Sequence, residues 1–214
     1  MKSEFLISNI PVGKLNAVIK NIMAQIGITE PEEAVRMVNA GEVQITVIKT
    51  KWTEKDGVIL FSVTSDGTTG EAWITRLERK NFSVGDYAKR ILLSNSFKPT
   101  SGATTEIAVL KGEIFSDNDR TAQNIHKEAK NRKFITPNAE VACLIREKFS
   151  DQELEAMGLY WIVAMHEPIK DSGGDPRLLS VLRIDNGSWL HSRYVDPDEK
   201  WFRGDGFAFV VSQV

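Results

Sequence analysis

Along the first hundred residues, the apolar positions recur in two periods. Where they recur every three or four residues we predict an amphipathic helix, and where they alternate we predict a strand. Pro31 suits a first helical turn and Gly41 suits the residue after a helix end. Four helices are therefore predicted, over residues 11–27, 29–42, 71–81 and 83–94, and two strands, over residues 43–49 and 57–65.

The second half of the chain has a clearer order, a strand followed by helices and then by several strands. Ser150 and Glu153 have the spacing of a capping box. Asp185, Asn186 and Gly187 suit the turn of a β-hairpin. The predicted elements are a strand at 105–115, helices at 117–133 (after an aspartate cap), 136–149 and 150–158, and strands at 159–169, 177–184, 187–195 and 206–214.

This order predicts an α+β protein with two regions. Pro, Ser, Gly and Thr concentrate at residues 95–105, which indicates a boundary. We therefore expect a small α+β region of unknown role over residues 1–100 and a second domain over residues 101–214. The chain has 214 residues, 42% hydrophobic and 26% charged, a composition typical of a soluble globular protein.

The net charge and the N-terminal sequence bear on the partners and the location of the protein. The formal net charge is −2, so there is no strong electrostatic case for nucleic acid or an anionic membrane. We find no signal peptide and no membrane-spanning run. A cytoplasmic protein is the default expectation, and a particle-borne or non-classically exported protein would have the same features.

Candidate chemical motifs favour structural roles. His166 is a lone histidine before Glu167, without the second histidine of a helical zinc motif. The glycine-rich stretches at 65–70 and 171–175 lack the spacing of phosphate loops and are read as surface turns. Cys143 lies on an apolar helix face and is read as a small buried residue. We therefore predict no catalytic residue, no metal site and no cofactor.

The C-terminal segment has an unusual composition. Residues 1–177 contain 40 Lys, Glu, Gln and Met residues, so about seven would be expected in the 32 residues from Leu178 to Phe209. Only Glu199 and Lys200 occur there. Those four residue types share the property that none has a codon ending in a pyrimidine. The irregular positions of the segment can all be written with pyrimidine-ending codons.

A family resemblance accounts for the scarcity of Lys, Glu, Gln and Met in this segment. The stretches "DPRLLSVLR", "GSWL" and "GFAFVVSQV", together with Pro197, Trp201 and Arg203, resemble the variable region of a diversity-generating retroelement target protein. The sequence from Thr136 to Leu179 also resembles proteins of this kind from candidate-phyla bacteria and their mobile elements. In that family a reverse transcriptase copies a template repeat with errors at adenines, so that Asn codons become many pyrimidine-ending codons.

The resemblance implies a C-type lectin fold over residues 101–214, with a variable region at about 178–209 that displays its side chains outward on a fixed scaffold. The implied ligand-binding positions are Ser180, Leu182, Ile184, Asp185, Asn186, Ser188, His191, Ser192, Arg193, Tyr194, Val195, Asp196, Asp198, Phe202, Gly204 and Asp205. The implied scaffold positions are Arg183, Gly187, Trp189, Leu190, Pro197, Trp201, Gly206 and Phe207, with Phe209 as a further apolar anchor.

The sequence departs from the related patterns at defined places. Glu199 and Lys200 do not arise from an Asn codon by changes at adenines, so they are either fixed or encoded by other template codons. The calcium-dependent sugar motif is incomplete, because Ile169 follows Glu167-Pro168 and no Trp-Asn-Asp follows. The formylglycine-generating enzymes share the fold but use a cysteine pair, which this chain lacks.

Three hypotheses follow. The first is a non-enzymatic display protein that binds an unknown ligand, expected to be a protein, through the variable positions. The second is an enzyme, which would require a deep pocket with paired titratable groups near residues 43–75. The third is a structural or regulatory module whose N-terminal region mediates assembly, for example as a homo-oligomer. The third can coexist with the first.

Overall fold

The computed structural model describes residues 20, 23–24, 27–42, 50–171, 173–184, 187–196 and 200–212. The chain divides into two compact units, residues 1–49 and residues 50–214. In the first unit, helix α1 (Pro31–Asn39) has acidic residues in its first turn, and Arg36 bonds to both Glu33 and Glu42. Gly41 has a positive φ of 72°, as expected of a residue that ends a helix.

The second unit combines helices with one large sheet, which confirms the α+β class. Its described helices are α2 (Gly70–Arg79), α3 (Asp86–Leu92), α4 (Ala122–Asn131), α5 (Glu140–Lys148) and α6 (Asp151–Ala156), with a short 3-10 turn at Gly112–Ile114. Its described strands are β1 (Thr53–Lys55), β2 (Val58–Asp66), β3 (Ser83–Val84), β4 (Ser101–Lys111), β5 (Phe134–Ile135), β6 (Trp161–Ala164), β7 (Ile169–Lys170), β8 (Pro176–Ile184), β9 (Gly187–Tyr194) and β10 (Asp205–Val211).

The sheet brings distant parts of the sequence together. Its described strands follow the order β1-β2-β4-β10-β6-β8-β9-β3, with β5 beside β10 and β7 beside β8. The last strand, β10, therefore lies between β4, with which it is antiparallel, and β6, with which it is parallel. The hairpin of β8 and β9 is in register from Arg177↔Tyr194 to Ile184↔Gly187. As a result the C-terminal segment occupies the middle and one side of the sheet.

Both faces of the central strands are covered. Because side chains alternate along a strand, Val181, Leu190 and Ile162 share one face, which we call the helix face. They belong to a buried cluster with residues of α2, α3, α5 and α6. The opposite face, defined by Trp161, Leu182, His191 and Arg193, we call the aromatic face. Its buried cluster includes Trp201, Phe207, Phe209 and residues of α4.

Most predicted elements of the second unit are present, with shifted helix starts. The capping box of Ser150 and Glu153 is confirmed. Helix α4 is capped by the Thr121 side chain, which accepts a hydrogen bond from the Asn124 backbone N–H, so the predicted aspartate cap is wrong. Helix α5 begins at Glu140, four residues after the predicted start. The predicted helix at 11–27 and strand at 43–49 lie largely or wholly outside the described residues.

The predicted boundary between residues 100 and 101 falls inside the second unit. Strand β2 pairs with β4 from Val58↔Leu110 to Asp66↔Ser101, so the sheet continues across that boundary. The Ser, Gly and Thr residues at 101–105 belong to the largely exposed start of a strand. Such a composition is as compatible with a solvated strand as with a linker. No helix in the described part of the chain is long and apolar enough to span a membrane.

Candidate functional site

The predicted variable positions lie on the β8–β9 hairpin and on the segment before β10, but they do not all face outward. Ser180 and Ser192 are 0% and 2% exposed, and Asp205 is 1% exposed. Leu182 is buried as well, at 6%. The expectation that all varied side chains point to solvent is therefore wrong for these four. The reason is that both faces of the hairpin are covered.

The remaining described positions reach the surface to different degrees. The exposed ones are Ile184, Tyr194 and Phe202, at 46%, 42% and 62%. The partly exposed ones are Ser188, His191, Arg193, Val195, Asp196 and Gly204. Three predicted variable positions, Asp185, Asn186 and Asp198, lie outside the described residues. The scaffold position Pro197 and the neighbouring Glu199 lie outside them as well. Three exposed side chains thus remain as the strongest candidates for ligand contact.

Several scaffold positions are closely packed. Leu190, Trp201 and Phe207 are buried, as is Phe209, whereas Gly187, Trp189 and Arg183 are partly exposed. Gly206 is buried between two side chains, because a Cβ there would lie 2.7 Å from Val109 Cγ1 and 2.9 Å from Leu159 Cδ1. Any larger residue at position 206 would have to push strand β4 or the start of β6 away.

Arg193 lies among aromatic rings on the aromatic face. Its guanidinium carbon is 5.2 Å from the ring centroid of Trp161, 4.8 Å from that of Trp201 and 5.3 Å from that of Phe202. Each distance is within the roughly 6 Å over which a cation is attracted to an aromatic face. The His191 ring is edge-on to Trp161 at 5.7 Å. We call Trp161, Trp201 and Phe202 the aromatic cage.

The cage is held in place by backbone contacts. The Trp201 N–H donates to the Arg120 carbonyl at 2.8 Å, and Arg120 Nε donates back to the Trp201 carbonyl at 3.0 Å. The Phe202 N–H donates to Asp205 Oδ2 at 3.0 Å. A Cβ at Gly112 would lie 2.6 Å from the Phe202 carbonyl oxygen, so the 200–204 segment sits directly on this glycine. The segment therefore has a fixed path, largely independent of its side chains.

An exposed apolar surface lies beside the cage. Tyr160 is 58% exposed, its N–H donates to the Gly204 carbonyl, and the Arg183 guanidinium stacks on its ring at 4.5 Å. Tyr160, Arg183 and Ile184 also line a cavity of about 350 Å³ with Asp151. We call Tyr160, Ile184 and Phe202, with Arg183 and Arg193, the display end. Tyr160, Arg183 and Ile184 lie where the start of β6 pairs with the end of β8, whereas Arg193 lies opposite Leu178 and contacts Phe202 on the aromatic face.

A buried ion pair supports the same end of the hairpin. Arg146 is fully buried, and it donates to Asp151 Oδ1 at 2.9 Å and to the Phe149 carbonyl. The other Asp151 oxygen accepts from the Ser188 hydroxyl at 2.7 Å. Ser188, a predicted variable position, therefore contributes to the environment of a buried charge. Its loss would remove one of the two groups that hold this carboxylate.

The aromatic face contains buried polar atoms without partners in the described part of the chain. They are Ser180 Oγ, His191 Nδ1, Trp189 Nε1 and Trp201 Nε1. Ser180 and His191 are directly opposite in the hairpin register. Burial lowers the pKa of His191, which favours its neutral form. The helix face of the same two strands contributes one such atom, Ser192 Oγ.

The other candidate groups are engaged in structural contacts. His166 Nε2 accepts from the Leu179 N–H at 2.9 Å and its Nδ1 is 2.7 Å from the Glu167 carbonyl, so both ring nitrogens have partners. Burial lowers the pKa of His166 to about 4. Cys143 is fully buried, and burial raises the pKa of its thiol. No group of three metal-ligating side chains occurs within the described ranges.

The region near residues 43–75 contributes to one described cavity of about 180 Å³. It includes Val63 and Ser65, and none of its lining side chains is titratable. Residues 43–49 lie outside the described part of the chain. The cavity therefore offers no acid–base pair for the enzyme hypothesis.

The sequence did not reveal two residues of the site, Tyr160 and Trp161. They precede and begin a short strand that inserts between β10 and β8, a pairing that no local pattern encodes. The only signal in the sequence was Tyr160, whose hydroxyl makes it a polar residue in an otherwise apolar run.

No protein-family model, curated protein or solved structure matches this chain. The functional interpretation therefore rests on the geometry of the site.

Proposed function

We propose that this protein binds a protein ligand through the display end and performs no catalysis. The observation that carries the proposal is that three large side chains, Tyr160, Ile184 and Phe202, are exposed by 58%, 46% and 62%, with Arg183 stacked on Tyr160 and Arg193 on Phe202. Aromatic residues and arginine are the residue types that contribute most to protein interfaces. Exposed apolar area rimmed by polar groups is typical of interaction surfaces.

We further propose that the C-terminal domain is a C-type lectin-like display domain diversified by a retroelement. The order of β4, α4, α5 and α6 followed by strands supports this arrangement. The pyrimidine-compatible residues of the 178–209 segment support the diversification. Diversity would be concentrated at exposed positions, because surface substitutions usually change stability by only about 0.5 kcal/mol.

Two matched libraries of the full chain test the display proposal. One randomises four surface positions, Ile184, Arg193, Tyr194 and Phe202, and the other randomises the buried positions Ser180, Leu182, Ser192 and Asp205. Each library is displayed on the surface of cells, and the fraction of its members that resist protease digestion measures the fraction that fold. We expect most members of the first library and few of the second to fold. Equal fractions would contradict the proposal that the first four positions are a tolerant display surface.

A second experiment addresses binding. The triple variant Tyr160→Ala, Ile184→Ala and Phe202→Ala is compared with a control, Leu93→Ala and Ile135→Ala, whose side chains are similarly exposed at 62% and 53%. Proteins cross-linked by the native chain and by the control, but not by the triple variant, are ligands of the display end. If the triple variant captures the same proteins, the display end is not the binding surface.

The retroelement proposal has its own test in the genome. We expect a reverse transcriptase gene nearby and a near-repeat of the coding region for residues 178–209, differing mainly at template adenines. Absence of both, here and in close relatives of the host, would refute the diversification proposal and leave the binding proposal unaffected.

A further inference from the structure

The aromatic cage resembles a ligand site that the chain itself occupies. Three rings surround the guanidinium carbon of Arg193 at 4.8 to 5.3 Å, whereas Arg183 stacks on the single ring of Tyr160. Several aromatic faces around one point are the arrangement that proteins use to bind organic cations such as quaternary ammonium groups.

The walls of the cage are built by contacts that do not involve Arg193. Trp161 is part of β6, in register with Leu182 on one side and Asp205 on the other. Trp201 is fixed by the two hydrogen bonds with Arg120 and by edge-on packing of its ring on Phe207 at 5.6 Å. Removal of the arginine side chain therefore leaves all these contacts in place.

The third wall, Phe202, completes the site. The Phe202 backbone is held by Asp205 and by the close approach to Gly112. Asp205 is almost fully buried and pairs with Trp161 across β10 and β6, so the residue that holds the Phe202 backbone is itself fixed beside the second wall. A cage of aromatic faces favours a cation over a neutral group of the same shape, because the ring quadrupole attracts positive charge.

We propose that Trp161, Trp201 and Phe202 form a binding site for alkylguanidinium or alkylammonium groups, which this chain fills with its own Arg193. The variant Arg193→Ala should present the site empty and bind such a cation from outside. The inference goes beyond the proposed function and does not depend on it, because the cage can bind a cation whether or not the display end binds a protein.

The test uses the full chain with Arg193→Ala and ethylguanidinium chloride as the probe. Binding is followed by tryptophan fluorescence and by the melting temperature. Ethylurea, which is neutral and similar in shape, and sodium chloride at matched ionic strength are the controls. We expect a saturable response with a dissociation constant of about 1–10 mM, corresponding to a weak small-ligand site.

Matched variants separate the cage from a general cation effect. The native chain has the site filled, and Arg183→Ala exposes only one ring, so both should respond at least about tenfold more weakly than Arg193→Ala. The double variant Arg193→Ala, Phe202→Ala removes one wall and should also lose binding. An equal response from the native chain, from Arg183→Ala or with ethylurea would overturn the proposal.

The stability of Arg193→Ala does not limit the test. If the variant is folded and shows no saturable response, the proposal is wrong. If it does not fold alone, recovery of folding with ethylguanidinium but not with ethylurea supports the proposal, and the absence of recovery overturns it. In both cases the binding of a protein ligand by the native display end is measured separately.

Discussion

The two faces of the β8–β9 hairpin differ in what covers them. On the helix face, Leu179, Val181 and Leu190 are fully buried in a cluster formed largely by aliphatic side chains of the sheet and four helices. On the aromatic face, the same strands carry Ser180, His191 and Arg193, and the Arg193 guanidinium contacts Trp201 and Phe202 of the 200–204 segment. One face is therefore packed by four helices, and the other by helix α4 together with the irregular 200–204 segment.

The difference separates the part of the hairpin that stabilises the fold from the part that carries the proposed binding surface. Buried aliphatic contacts on the helix face supply free energy of folding that does not depend on the other face. The aromatic face has buried polar atoms without partners, including Ser180 Oγ and Trp201 Nε1. Such atoms are energetically unfavourable, so this face is not optimised for stability. The following predictions test this division.

The largest effect is expected from Leu190→Ala on the helix face. The side chain is completely buried, and its removal should lower the free energy of unfolding by about 2–5 kcal/mol. Urea denaturation measures the change. The neighbouring change His191→Ala, on the aromatic face, should cost about 1 kcal/mol or less. Similar losses from both variants would remove the proposed difference between the faces.

A pH effect of about 3 kcal/mol is expected from His166. Its pKa is about 4 in the folded chain and near 6.5 when unfolded, so the unfolded state takes up a proton more readily. The stabilisation is complete above pH 6.5 and is lost progressively as the pH falls toward 4. Urea unfolding between pH 7.5 and 4.5 measures the slope.

The matched variant for this pH effect is His166→Gln, which cannot titrate. Its unfolding free energy should depend less steeply on pH over the same range. The lowered pKa of His191 acts in the same direction, so some slope should remain. An unchanged slope in His166→Gln would show that His166 is not the group responsible.

A smaller and opposite pair of effects is expected from two serines of the hairpin. Ser188→Ala removes the hydrogen bond to Asp151 and should cost about 1 kcal/mol. Ser180→Ala removes a buried hydroxyl without a partner and should be neutral or stabilise by up to about 1 kcal/mol. Thermal unfolding of both variants provides the measurement. A clear loss in Ser180→Ala would indicate that this hydroxyl is satisfied in solution.

The smallest change in stability is expected from Phe202→Ala in the display end. The side chain is 62% exposed, and its contact with Arg193 is partly solvated, so the cost should be about 0.5 kcal/mol. Leu93→Ala, with the same exposure, is the control for stability. A loss above about 2 kcal/mol would place Phe202 in the core rather than on a tolerant surface.

The local signals in the sequence predicted the hairpin well. Alternating residues on either side of Asp185-Asn186-Gly187 predicted two paired strands, and β8 and β9 pair from Arg177↔Tyr194 to Ile184↔Gly187. The capping box at Ser150 was likewise visible because it depends on residues three apart. Information of this kind is contained in neighbouring positions, so one sequence is sufficient to read it.

The site was less predictable because it depends on non-local pairing. Ser180 is polar and was expected at the surface, but its face of the sheet is covered by the buried cluster that includes Trp201 and Phe207. Trp161 reaches Arg193 only because β6 inserts between β10 and β8. Similarly, the Ser- and Gly-rich residues at 101–105 gave no sign that β4 pairs with β2.

The close approach at Gly112 has a consequence for how this protein can change. The main chain of the 200–204 segment rests on a residue that lies about ninety positions earlier and outside the 178–209 region. Replacement of a side chain in the segment alters one point of the surface. A side chain at Gly112 would displace the carbonyls of Phe202, Arg203 and Asp205 together, and the backbone of the segment would move with them. The proposed diversification of residues 178–209 would therefore leave unchanged the codon that sets the position of this backbone.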